Sequence, residues 1–150
     1  MQKQTGVSEF LSMHHIRPSY QRVKIMQYLL DRKSHPTIEE IYRALIPDIP
    51  TLSKTTVYNT LNLFIRERIT QPLSIEENQT RYDADISVHG HFRCLNCGKI
   101  YDFCVDAENL AVSGLDGFQI DSRYIFYQGI CPVCRKAEGR SSAEGKPEHQ

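Results

Sequence analysis

The 150-residue chain lacks a net charge, because eighteen Lys plus Arg balance eighteen Asp plus Glu. A strong surplus of positive charge is the usual whole-chain mark of a nucleic-acid binder, so taken over its full length the chain disfavours DNA. It lacks any apolar run near the roughly 18 residues that span a bilayer. Its first residues, Met1 to Ser8, have neither the basic nor the apolar region of a secretion signal. These absences predict a soluble, cytoplasmic chain with no membrane partner. There is no internal repeat apart from two cysteine knuckles, and no nucleophile motif, cofactor loop or general-base motif, which argues against an enzyme. What is present is 40% apolar residues, enough for a core in one mid-sized domain or two small ones, and five cysteines. Four of the five fall into two C-x-x-C pairs, which in a reducing compartment point to metal rather than to a disulfide frame.

The zero charge is a sum of unlike parts. Arg17 to Arg68 carries nine basic and five acidic residues, whereas Arg81 to Cys134 carries four basic and seven acidic. This asymmetry predicts a basic N-terminal module and an acidic C-terminal one. Ser19 caps a helix with Val23, Met26 and Leu30 facing inward and an end near Lys33. Thr37 and Glu40 form a T-x-x-E capping box ahead of a helix with one face of Ile38, Ile41, Tyr42, Leu45 and Ile46, stopped by Pro47. Ser53 caps a third helix with Val57, Leu61, Phe64 and Ile65 inward. Residues Thr70 to Ile75 and Gln79 to Asp83 flank the turn Glu76 to Asn78 as a β-hairpin.

Two helices, a short turn and a hairpin make a winged helix-turn-helix. Its reading helix presents Lys54, Thr55, Thr56, Tyr58, Asn59 and Asn62. An exposed helix fits the major groove and offers side chains to base edges, while Arg17, Arg22 and Lys54 meet phosphates. Any three-helix globule also has one polar face, so pattern alone leaves DNA binding open. In the second module His91 to Leu95, Lys99 to Cys104 and Ser122 to Ile130 read as strands, and Asp106 to Leu115 as a helix. The fold class is α+β: an N-terminal winged helix-turn-helix domain (1–80), a hinge (81–86), a C-terminal α/β dimerisation and metal-binding domain (87–136) and a disordered tail (137–150). The second module has little core of its own, so metal and a second copy of the chain are expected to stabilise it.

Cys94 and Cys97, with Cys131 and Cys134, satisfy the tetrahedral preference of structural Zn(II), and a closed four-thiolate shell leaves no position for catalysis. Cys104 reads by default as a buried apolar cysteine, with a thiol sensor as the alternative. His89 and His91, two residues apart on a strand, point to the same side. Asp102 lies on the next strand, Asp83 and Asp85 on the approach from the hairpin, and His35 ahead of the Thr37 helix. Three imidazoles with two carboxylates suit Fe(II), Mn(II) or Zn(II) and leave an open position on an octahedral ion. The same residues also read as surface histidines and capping acids, or as a hydrolytic or oxygenase metal centre. His14, His15 and His149 read as ordinary surface residues.

The combination of His35-Pro36-Thr37, Lys54-Thr-Thr-Val-Tyr-Asn-Thr-Leu61, Arg81-Tyr-Asp83, His89-x-His91, the knuckle CLNCGKIYDF and the final CPVC resembles the ferric uptake regulator family of metal-dependent bacterial repressors. The resemblance runs from about Val7 to Cys134. It implies a homodimer on a palindromic double-stranded DNA operator, a structural zinc on four cysteines, and a regulatory Fe(II) or Mn(II) held by His35, Asp83, His89, His91 and Asp102. Asp102 and Asn59, with Gly90 between the histidines, look like the peroxide-responsive members. Those members imply sensing through oxidation of His35 or His89. The alternative is an iron- or manganese-responsive repressor of metal-uptake genes without peroxide chemistry. Ser19-Tyr20-Gln21-Arg22 departs from the family's frequent Thr-Pro-Gln-Arg; Ser keeps the cap, and only the first-turn proline is lost.

Overall fold

A computed structural model describes residues 2–76 and 78–143. The chain divides between Ser87 and Val88 into two compact units. The first contains α1 (Gln2–Met13), α2 (Tyr20–Arg32), α3 (Ile38–Leu45), α4 (Lys54–Arg66), β1 (Gln71–Glu76) and β2 (Gln79–Asp83). Each of the three expected caps forms. Ser19 Oγ accepts from Arg22 N at 3.3 Å and Ser53 Oγ from Thr56 N at 3.0 Å. Thr37 Oγ1 accepts from Glu40 N at 3.2 Å while Glu40 Oε2 accepts from Thr37 N at 2.8 Å, closing the capping box. Ile25 and Met26 of α2, Ile41 of α3, and Val57, Leu61 and Phe64 of α4 are fully buried in one cluster.

One helical face needs correction, and one helix goes unread in the sequence. Leu30 is exposed, and the inward face of α2 is instead Val23, Ile25, Met26 and Leu29. The α1 helix has no strong apolar period, so the sequence gives little sign of it; it is held because Val7 and Leu11 enter the same core. β1 and β2 pair antiparallel with Gln71 opposite Asp83 and Leu73 opposite Arg81, and a bulge follows toward the turn. Glu77 of that turn lies outside the described residues.

The second unit holds β3 (His89–Cys94), β4 (Ile100–Cys104), β5 (Ile125–Gly129) and α5 (Pro132–Ala143). Its sheet runs β4-β3-β5, with β3 and β4 antiparallel and β3 and β5 parallel. Its buried cluster is Cys94, Cys131 and Cys134 with Phe92, Tyr101 and Ile130 packed against it.

The expected helix over Asp106 to Leu115 is not formed. Asp106 Oδ1 accepts from Glu108 N and Asn109 N, as a helix cap does, but Gly114 turns at φ +86° and Leu110, Val112 and Leu115 are exposed. A short helix depends on burying an apolar face, and this face has no cover among the described residues of the unit. The segment 137–143, read as disordered from composition, continues α5, which opens on Pro132 at a position where proline is tolerated. Residues 144–150, including His149, lie outside the described residues. No described helix is long and apolar enough to cross a membrane.

Candidate functional site

The cysteine site is built by a turn and a helix start. The β3–β4 turn bends at Gly98, whose φ of +73° favours glycine and whose N–H donates to Cys94 O at 2.9 Å. This brings Cys97 back beside Cys94, while Cys131 and Cys134 sit at the start of α5. All five cysteines are free thiols. One sulfur from each of the four in the knuckles lies within 4.8 Å of the others, and Cys97 Sγ is 3.9 Å from Cys131 Sγ. Tetrahedral zinc with bonds of about 2.3 Å needs sulfurs about 3.8 Å apart. The residues therefore fit Zn(II).

Charge supports the same reading. Backbone N–H donation from Cys131, at 3.3 Å, and from Cys97 pulls the Cys94 thiol down to about 6. Cys131 is lowered by the Cys134 N–H and by the Tyr101 hydroxyl. Cys134 is pushed up to about 12 by the Cys131 sulfur and by burial. Four thiolates this close repel one another, and a dication is what lets all of them ionise.

The histidines and acids form two groups, one in each unit. In the first, His35 and Asp83 are both buried and His35 Nε2 stands 3.4 Å from Asp83 Oδ2. Asp83 ends β2, where Asp85 N donates to its Oδ1 at 2.9 Å. Asp85 turns to Ser87 instead, accepting from Ser87 N at 2.9 Å. His35 adopts the left-handed φ of +50°, a conformation that costs a non-glycine residue roughly 1–2 kcal/mol. In the second, β3 carries His89 and His91 on one face with Nε2 atoms 3.0 Å apart. Register places Asp102 of β4 opposite His91, with Oδ1 3.4 Å from His91 Nε2 and 3.9 Å from His89 Nε2. Nitrogen and oxygen donors facing one another in this way fit Fe(II) or Mn(II).

Gly90 lies between those histidines because nothing larger fits. A Cβ there would stand 2.1 Å from the Phe103 ring, which stacks on Tyr127 with centroids 5.2 Å apart. Cys104, expected to be buried, is exposed, because it ends the edge strand β4 on a sheet with little cover. His14 is half-buried against the Phe10 ring rather than on the open surface, whereas His15 is exposed.

Lys54, Thr55, Tyr58, Asn59 and Asn62 are exposed on α4, and Thr56 is half-buried. Arg17, Ser19, Arg22, Thr56, Asn59 and Arg66 line one open groove beside them. Arg22 Nη1 donates to the backbone carbonyl of Arg17 at 2.8 Å, which fixes the Arg22 side chain along that groove. Lys54 is less available than its position suggests. Its ammonium lies 2.5 Å from Glu39 Oε2 and 5.5 Å from the Tyr42 ring centroid, and it holds the Glu39 carboxyl below the usual carboxylate range. Glu39 is a partner of the reading helix that no sequence pattern marks, and Arg81 is marked only by standing two residues before Asp83.

A winged helix-turn-helix unit followed by an α/β unit with a four-cysteine zinc group and paired imidazoles and carboxylates defines a metal-responsive transcription regulator. The chain belongs to the ferric uptake regulator family, which it matches over residues 14–123. It is 35% identical over 127 residues to the peroxide operon regulator of Bacillus subtilis, covering 82% of this chain and 87% of that protein. Among solved structures it is similar to PerR from Streptococcus pyogenes, described for peroxide sensing and gene regulation. The identity there is 34%, the TM-score 0.50, and the coverage 88% of this chain and 92% of that one. The Helicobacter pylori ferric uptake regulator Fur, described as having three functional metal-binding sites, is similar with 25% identity, a TM-score of 0.71, and coverage of 88% and 93%.

Proposed function

We propose that this protein is a DNA-binding repressor in the cytoplasm, not an enzyme, that senses hydrogen peroxide through a regulatory Fe(II). The observation that carries it is the pair of half-sites. His35 faces Asp83 in one unit and His89, His91 and Asp102 face one another in the other. We propose that all five hold one ion, so that its binding fixes the angle between the units. In a homodimer that angle sets the spacing of two reading helices, which must match the half-sites of a palindromic operator about one helical turn apart or a multiple of it. Thr55, Thr56, Tyr58 and Asn59 reach base edges, and Arg17, Arg22 and Lys54 reach phosphates.

Fe(II), when held by these residues, would supply the electron that splits the O–O bond of hydrogen peroxide beside them. His35 and His89 are the side chains proposed to be oxidised, and a modified imidazole no longer ligates as before, which releases the angle and the operator. The second copy of the chain is proposed to cover the exposed Leu110, Val112, Leu115, Phe118, Ile120 and Tyr124. Similarity to peroxide regulators, together with Asp102, Asn59 and Gly90, supports the peroxide reading over a purely iron- or manganese-responsive one.

The experiment has two arms. Operator retardation with and without Mn(II) is expected to show metal-dependent binding and no turnover of the DNA; equal binding without metal sinks the switch. Mass spectrometry of the Fe(II) form after brief peroxide exposure is expected to find added oxygen on peptides carrying His35 or His89. Unmodified peptides return the protein to an iron- or manganese-responsive repressor.

A further inference from the structure

His35 is held in an unusual backbone conformation by its neighbours on β2. Arg81 Nη1 donates to His35 O at 3.1 Å, Tyr82 N donates to Pro36 O at 3.0 Å, and Thr37 and Arg81 form an isolated antiparallel bridge. The Arg81 guanidinium is mostly covered and also lies 3.7 Å from Glu40 Oε2, the oxygen that accepts from Thr37 N in the capping box of α3. One planar cation thus joins the helix cap to the carbonyl of the residue at φ +50°. Pro36 matters here because the residue before a proline is steered away from the right-handed helical region. Released from its restraints, His35 would fall back to an extended conformation and point its imidazole elsewhere.

We infer that Arg81 is a positioning residue for the regulatory metal. Its guanidinium, anchored by Glu40, fixes the His35 carbonyl so that the imidazole stays turned toward Asp83. Both contacts run through Nη1, so they depend on where the buried guanidinium sits between the cap and the carbonyl. Because Arg81 and Asp83 share β2, the same strand sets both the ligand and the restraint on its partner ligand. The inference rests on the reading of His35 as a regulatory ligand proposed above.

The test is Mn(II) affinity of the zinc-loaded, full-length protein, measured by electron paramagnetic resonance of free Mn(II), for wild type, Arg81→Ala, His35→Ala and the double variant. Partners that orient a metal ligand typically contribute 10–100-fold in affinity, and a loss of about that size is expected for Arg81→Ala, with zinc content and melting temperature close to wild type. In the His35→Ala background the same change is expected to have little further effect, since the side chain it orients is gone. Wild-type affinity in Arg81→Ala, or an equal loss with and without His35, overturns the inference. If His35→Ala alone leaves Mn(II) affinity unchanged, the ligand reading fails as well. Should Arg81→Ala fail to fold, Glu40→Gln carries the test, because glutamine keeps an acceptor for the capping box and loses the charge that anchors Arg81. A several-fold loss supports the inference, and unchanged affinity overturns it.

Discussion

At the scale of single residues, the surface that is proposed to meet DNA is already partly neutralised from within. Glu39 of α3 lies against Lys54 at the first turn of the reading helix and also accepts from Arg43 Nε at 3.0 Å. A phosphate must compete with this carboxylate for Lys54. Glu39→Gln is therefore expected to tighten non-specific DNA binding several-fold at low salt, and to steepen the dependence of log affinity on log salt by about one unit, because one more cation is free to displace counterions. Fluorescence anisotropy with a scrambled duplex across a salt series checks this; an unchanged slope means that Lys54 does not meet the backbone. Gly90 gives a second prediction. Gly90→Ala drives a Cβ into the Phe103 ring, and moving that ring breaks its stack on Tyr127. Such pairs contribute about 0.5–1.5 kcal/mol beyond area burial. A stability loss of about 1 kcal/mol in denaturant unfolding of the metal-loaded protein is the expected result.

At the scale of elements, the helices α2, α3 and α4 were legible because each starts on a Ser or Thr cap and keeps its main buried face in register with the 3.6-residue period. Thr37→Ala is expected to cost about 1 kcal/mol in chemical denaturation of the first unit, since it opens the capping box. The hairpin was legible from its two β-rich runs and the cysteine group from its two C-x-x-C pairs, whereas the grouping of His35, Asp83, His89, His91 and Asp102 followed only from the family resemblance. Other features were settled by tertiary context. α1 is fixed by two apolar side chains reaching a distant core, and the region around Asp106 has a cap without the burial that extends a helix. The left-handed turn at His35 and the Arg81 bridge beneath it depend on a strand 46 residues away in sequence, so no local pattern carries them.

At the scale of the whole molecule, the two units differ in what holds them together. The first has a contiguous apolar core, while the second is organised around buried cysteines with little else beneath its sheet. Stripping zinc from the protein, or replacing Cys131 with Ala, is expected to melt the second unit while the helices of the first persist. Amide hydrogen exchange resolves the two, and equal loss of protection in both units would count against it.

We propose that His35 and Asp83 join His89, His91 and Asp102 around one regulatory ion. Mn(II) titration of the zinc-loaded protein, comparing wild type with Asp83→Asn and Asp102→Asn, tests it most directly. One tight Mn(II) per wild-type chain is expected, with a strong loss of that same site in both variants. A wild-type Mn(II) site surviving in Asp83→Asn, held by the second unit alone, would contradict it.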